Sequence, residues 1–291
     1  MSVVHWNFPL TFHQFFRFPV VRHLSLVLHR FKKRLRIAKM SMDTTIPINA
    51  ASVAAAGFVE LKHESDFDIL LHNDDLISVC GFGSLLSERS AKSTFPELQN
   101  FRIAKLNGFR RVFCHAAPIF FERGIAKEET KEISSLSVEP FTGETLVVTV
   151  FEIKKSEIPS FIEREHEFRF LAVTPEDLDG RPYDHLAVLC GRYSDEEYFL
   201  VRCKGSQELL YDRYGRHNIQ KIWRNDILPC RLYLRHCVLA ARNLGEVASD
   251  NFLDNTFLGD RSTSIRKYLS STGVGIMEEE PIEALKARYG G

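Results

Sequence analysis

Three glutamates, Glu163, Glu165 and Glu167, crowd into five residues just after an apolar group. Ile158, Phe161, Ile162 and Phe168 recur at the spacing of one helical face and define a buried stripe. Glu165 lies on that stripe, while Glu163 and Glu167 fall off it, toward water. A carboxylate on an apolar face is costly unless it has a partner or a task. Burial raises its pKa, which suits a general acid/base working near neutral pH. An ion pair with an arginine such as Arg169 or Arg111 is the competing reading, because structural ion pairs also perturb pKa values.

A second candidate is the stretch LISVCGFGSLL at residues 76–86. Leu76, Ile77, Val79 and Cys80 read as a buried strand. Gly81-Phe82-Gly83-Ser84 then turns the chain, and Ser87 with Glu88 reads as a helix start. Strand, glycine turn and helix together aim backbone N–H groups and the positive end of a helix dipole at one spot, where an anionic group would bind. Alone, such a short pattern has little specificity. Ser84 does not sit in a GxSxG nucleophile elbow. His115, His166 and His217 have no partners at metal-ligand spacing. Arg213, Arg216 and Arg224 with Tyr211 and Tyr214 fit a solvated helix face better than a binding surface.

The elements that must carry these residues read as mixed. After the first strand, a short helix ends near Phe95-Pro96. Residues 101–107 and 109–115 read as two strands broken by Gly108, and 132–140 and 145–153 as two more, turned by Gly143. Short hairpins between them predict a largely antiparallel sheet. The period then changes to helical over 154–168, returns to strands over 170–173 and 185–193, and passes an acidic turn at 195–197. Residues 206–245 and 262–269 read as helices, with Gly245 as a stop.

With 291 residues, 44% hydrophobic and 26% charged, the chain has the composition of an ordinary globular protein. Residues 1–42 hold no acid and eight basic residues, leaving 30 basic against 38 acidic residues, net −8, in the remainder. An acidic body argues against nucleic acid as its partner. No apolar run approaches the length of a membrane span. The six cysteines are scattered, with no CxxC and no zinc spacing, and point to a reducing compartment rather than secretion. The N-terminal segment fits a plastid or mitochondrial transit peptide. An upstream extension of a cytoplasmic protein starting at Met40 or Met42 fits as well, and a basic arm for nucleic acid or a membrane surface fits less well. The organisation expected is a basic extension over 1–42, a linker and entry segment over 43–75, a β-rich catalytic core over 76–205, a helical part of the same domain over 206–270 and a mobile tail over 271–291.

The two candidates together resemble the γ-glutamylcyclotransferase-like superfamily. Its hallmarks are a Tyr-Gly-Ser-Leu or Tyr-Gly-Ser-Asn loop after the first strand and one catalytic glutamate on a later helix. CGFGSLL at 80–86, with Arg164-Glu165 about 80 residues on, matches both, and Ser84-Leu85 with Arg164-Glu165 favours the ChaC-type branch. AKLNGFRR at 104–111, LSVEP at 136–140 and a late segment at 233–245 add to the likeness, which covers roughly residues 76–257. The resemblance implies an α+β fold, a small, mostly antiparallel, β-barrel-like sheet flanked by helices. It implies Glu165 as acid/base and Phe82, Gly83, Ser84 and Leu85 as the clamp for the amino-acid end of a small γ-glutamyl substrate. It implies release of 5-oxoproline from glutathione or a related γ-glutamyl amide, with no metal and no cofactor. The family's motif tyrosine is Phe82 here, which opens an alternative: a degenerate module that binds a γ-glutamyl ligand or a protein without turnover.

Overall fold

The computed structural model describes residues 50–72 and 75–290. The basic extension and the question of a transit peptide lie outside them. The described residues fall within one compact unit. Nine strands form its sheet: β1 (Val59–Leu61), β2 (Leu71–His72), β3 (Leu76–Gly81), β4 (Gln99–Ala116), β5 (Glu132–Lys154), β6 (Phe168–Val173), β7 (Ala187–Arg192), β8 (Leu228–Pro229) and β9 (Thr256–Leu258). The order is β1-β6-β7-β3-β5-β4-β9, with β2 on β3 and β8 on β5. Most pairs are antiparallel; β3·β7, β4·β9 and β5·β8 are parallel.

The fold is α+β, as expected, but the sheet is neither small nor closed. Its ends, β1 and β9, have three residues each and do not pair with each other. Strands so short cap an open sheet rather than carry a closing ladder.

The four strands expected between 99 and 154 are two. β4 has 18 residues and β5 has 23, paired along almost their whole length. Gly108 and Gly143 have φ of 80° and 96°, and the register shifts between Asn107 and Phe109. Each glycine makes an irregularity that bends a continuous strand instead of ending it. β3 runs between β5 and β7 with every residue buried, hence its unbroken apolar sequence.

Helices cover the sheet. They are α1 (Ala50–Ala56), α2 (Glu88–Thr94), α3 (Pro118–Glu122), α4 (Ile158–Arg164), α5 (Asp195–Val201), α6 (Gln207–Arg213), α7 (Arg231–Asn243), α8 (Glu246–Asp254), α9 (Ile265–Leu269) and α10 (Glu283–Tyr289). No helix among the described residues is long and apolar enough to cross a membrane. The acidic run at 195–197 is the first turn of α5, capped by Ser194, where acids complement the helix dipole.

The linker and entry segment and the tail both contain regular elements among the described residues. The linker segment contains α1, whose Ala-rich sequence has high helix propensity, and β1, which pairs with β6. The tail contains α10, which packs on α2 and α7 and buries Tyr289 to 2% exposure. All six cysteines are buried and free.

Three apolar clusters meet around the end of β3. One holds Phe95, Phe151, Phe161, Phe168 and Phe170; one lies under α7, α8 and α9; one joins β5, β6 and β7 through Val148, Leu171 and Leu189. Phe82 packs against all three.

Candidate active site

β3 delivers the chain into the turn 81–86, and close packing dictates both glycines. A Cβ on Gly81 would lie 2.6 Å from Thr149 Oγ1 and 2.7 Å from Leu85 Cβ. A Cβ on Gly83 would lie 2.7 Å from Tyr233 Oη. Real side chains do not tolerate such contacts, so something would have to move. Ser84–Leu86 form a single 3₁₀ turn, and Ser87 then caps α2, its hydroxyl accepting from the Ser90 N–H at 3.3 Å.

The carbonyls of Phe82 through Leu85 are taken up by the protein. Arg111 Nε donates to Phe82 O at 2.9 Å. Leu86 N–H donates to Gly83 O at 3.0 Å, Ser87 N–H to Ser84 O at 3.2 Å, and Thr149 Oγ1 to Leu85 O at 2.9 Å. No backbone hydrogen bond among the described residues takes up the N–H groups of Gly83 and Leu85. The Ser84 backbone hydrogen-bonds the Tyr233 hydroxyl. The turn thus offers donors rather than acceptors, as an anion requires.

Arg111 holds this geometry from below. It is fully buried, and its other donors go to Asn251 Oδ1 at 3.1 Å and to Val147 O. It makes no ion pair with a carboxylate among the described residues, and burial pushes its guanidinium down to about 9. The sequence offered Arg111 as a partner for Glu165; the structure gives it to Phe82 instead.

The glutamates come from the junction of α4 and β6. α4 ends at Arg164, and Glu165 is its C-cap residue, with its N–H donating to Phe161 O at 3.0 Å. Phe168, expected as part of the helical stripe, opens β6 opposite Arg192. The helical projection therefore fails after Arg164. Glu163 is exposed as expected, its side chain at 77%. Glu167, expected to face water, turns back and lines the same cavity as Glu165. Alternation in Phe168-Arg169-Phe170 was the sequence signal that the helix had already stopped.

Both carboxyls titrate above the usual carboxylate range. For Glu165 the cause is burial first and the negative charge of Glu167 second, opposed by Arg164, whose Nε lies 3.1 Å from Oε1. For Glu167 the cause is burial, opposed by His115. His166 Nδ1 lies 3.0 Å from Glu167 Oε2. His115 is buried and pushed down to about 4 by that burial, with Nδ1 2.7 Å from Ser135 Oγ. Two carboxyls in one cavity raise each other's pKa because both cannot ionise freely.

One cavity of about 530 Å³ brings the pieces together. Its lining includes Phe82, Gly83, Ser84 and Leu85 from the turn, Glu165 and Glu167 from the α4–β6 junction, and Tyr233 from α7. Arg164 is the arginine that Glu165 meets, and Glu165 still opens into the cavity, with 25% of its side chain exposed. Residues the sequence reasoning missed also line it: Glu167, Arg123 after α3, and Arg288 and Tyr289 of α10. Ile282, Leu285 and Tyr289 have helical spacing and could have marked α10; no local signal ties it to this cavity. No group of three or more His, Cys, Asp or Glu among the described residues could hold a metal ion.

No protein-family model matches the sequence, and no curated protein matches it. Solved structures similar to this one include an uncharacterised protein from Homo sapiens, at 16% identity over 53% of this chain and 91% of that one, with a TM-score of 0.34. They include a γ-glutamyl cyclotransferase, at 18% identity over 52% of this chain and 90% of that one, TM-score 0.33. A protein from Arabidopsis thaliana is similar at 14% identity over 52% of this chain and 97% of that one, TM-score 0.31.

Proposed function

We propose that the protein is a γ-glutamyl cyclotransferase, converting a γ-glutamyl amide into 5-oxoproline and a free amine. The observation that carries this reading is one cavity containing both a donor-rich turn, Gly83–Leu85, and a glutamate with a raised pKa, Glu165. A volume of about 530 Å³ suits a ligand the size of a short γ-glutamyl peptide.

In this reading the turn holds the α-carboxylate of the γ-glutamyl group and folds the substrate so that its α-nitrogen faces its own γ-carbonyl. Glu165 takes a proton from the α-ammonium. The freed amine attacks the γ-carbon, a C–N bond closes the five-membered ring, and the original amide C–N bond breaks. Glu165 returns the proton to the departing nitrogen, and the ring nitrogen's surplus proton passes to the released amine, which leaves as an ammonium. Nucleophile and electrophile belong to one molecule, so orientation supplies much of the rate. Proton transfer by a positioned carboxyl adds roughly 10²- to 10⁴-fold. The raised pKa of Glu165 suits both halves, since a carboxyl closer to neutrality both accepts and returns a proton readily.

Phe82 favours a second reading, a module that binds a γ-glutamyl compound without turning it over. Where the family motif has a phenol, this chain has an apolar ring packed between three clusters. Against that reading, the Tyr233 hydroxyl sits directly on Gly83, so the turn has a phenol from another element. Glu165→Gln decides between them. The enzyme reading expects 5-oxoproline release to fall by about 10² or more with the circular dichroism spectrum retained. Thermal stabilisation of the unmodified protein by γ-glutamyl compounds, with no product, supports the binding module.

A further inference from the structure

Five arginines line the cavity, and three of them face carboxylates: Arg164 meets Glu165, Arg213 meets Glu163 at 3.2 Å, and Arg216 meets Glu122. Arg123 and Arg288 do not, among the described residues. Among the described residues Arg288 donates from Nη1 alone, to Ser93 Oγ at 2.8 Å and Thr94 Oγ1 at 3.0 Å at the end of α2. Among the same residues Arg123 donates from Nη1 alone, to the Tyr289 hydroxyl, and lies over that ring at 5.4 Å. Neutral hydroxyls fix where a guanidinium points without neutralising it. Each arginine keeps Nε and Nη2, the donors that grip a carboxylate in bidentate fashion. The two repel each other, and Arg164 repels Arg288 as well, so an anion placed between them relieves a strain built into the cavity wall. The Arg288 charge also reaches Glu165, so this cationic corner and the acid/base share one space.

We propose that Arg288 of α10, with Arg123, forms a carboxylate clamp for the amine-side half of the substrate, making the protein selective for γ-glutamyl amino acids and peptides over γ-glutamyl amines. This rests on the cyclotransferase reading. The turn Gly83–Leu85 supplies donors for the γ-glutamyl α-carboxylate, and a γ-glutamyl amino acid brings one carboxylate more. The unpaired guanidiniums are the groups in the cavity suited to receive it.

The test compares γ-glutamyl-alanine with γ-glutamyl-ethylamide, which differ by that carboxylate, in the full chain. The expectation is a kcat/KM ratio of about 10 to 100 in favour of γ-glutamyl-alanine, the value of a charge-assisted pair. Arg288→Gln should bring the ratio to within a few-fold of one, and Arg288→Lys should keep part of it. A wild-type ratio near one overturns the clamp and leaves the cyclotransferase reading intact. Equal losses for both compounds in Arg288→Gln also overturn it, because they mean the arginine serves the γ-glutamyl end or the fold. The same ratio is read as Kd by calorimetry. If no 5-oxoproline forms from either compound, the cyclotransferase reading fails, and the Kd ratio in the wild type still decides whether the clamp exists.

Discussion

At the scale of single residues, the proposed reaction turns on Glu165 and its neighbour Glu167, which line one cavity. Each carboxylate makes ionisation of the other harder, so deleting one charge should ease the other. In the proposed reaction Glu165 has to be ionised to accept the ammonium proton, and activity should therefore rise with pH through its raised pKa. Glu167→Gln removes the second-largest cause of that elevation, lowers the pKa of Glu165, and should move the acidic limb of the kcat profile toward lower pH. A pH–rate series on both proteins checks this; a limb that stays put assigns the ionisation elsewhere. Helical spacing pointed to Glu165 but not to Glu167, because the projection assumed four more helical residues than the chain forms. The helix stops where β6 begins to pair with β7, a contact between residues more than twenty apart that no local pattern reveals.

The turn after β3 is the element that organises the site, and its glycines have separate jobs. Gly83→Ala should force the Tyr233 phenol off the turn, at a cost of about 1–3 kcal/mol typical of overpacking. Removing the hydroxyl in a Gly83→Ala/Tyr233→Phe double variant should recover part of that loss, measured as Tm or by denaturant titration. Additive losses would mean the two residues do not compete for the same space. Arg111→Met tests the support beneath the turn. It strands the Phe82 carbonyl and removes a donor from Val147 O and from Asn251 Oδ1, which keeps the Val147 N–H at 2.7 Å, and should destabilise the protein by about 2 kcal/mol. The strand, turn and capped helix at 76–94 were readable because apolar run, glycines and Ser87 act locally. Gly108 and Gly143 misled for the same reason. A glycine that bends a strand and one that ends it look alike until the partner strand is known.

Across the whole molecule, one carboxylate ties distant pieces together. Glu139 of β5 meets Arg110 of β4 at 2.7 Å, Arg192 of β7 at 2.9 Å and Arg261 beyond β9 at 2.9 Å. Burial would raise its pKa, but the three guanidiniums outweigh it and hold the carboxyl at about 2. Because the folded pKa lies below the ordinary value of 4.5, this cluster stabilises the protein above that pH. The contribution is lost as pH falls from about 4.5 toward 2. Glu139→Gln should cost about 2 kcal/mol at neutral pH by leaving three half-buried arginines without their anion, and should flatten the acid-unfolding curve in that window. Equal slopes in the two proteins would contradict this. The mixed α+β class, the largely antiparallel sheet and the pairing of the turn with Glu165 were visible before any coordinates. The open nine-stranded sheet and the return of α10 to the cavity were not, since both depend on which distant segments meet.

The central claim is that the turn and Glu165 together cyclise a γ-glutamyl group. Quantifying 5-oxoproline and free alanine released from γ-glutamyl-alanine by the purified full chain tests it most directly. The two products should form catalytically in equal amounts, and neither should form in Glu165→Gln. Absence of 5-oxoproline from γ-glutamyl-alanine, glutathione and γ-glutamyl-ethylamide alike, with a folded protein, would contradict it.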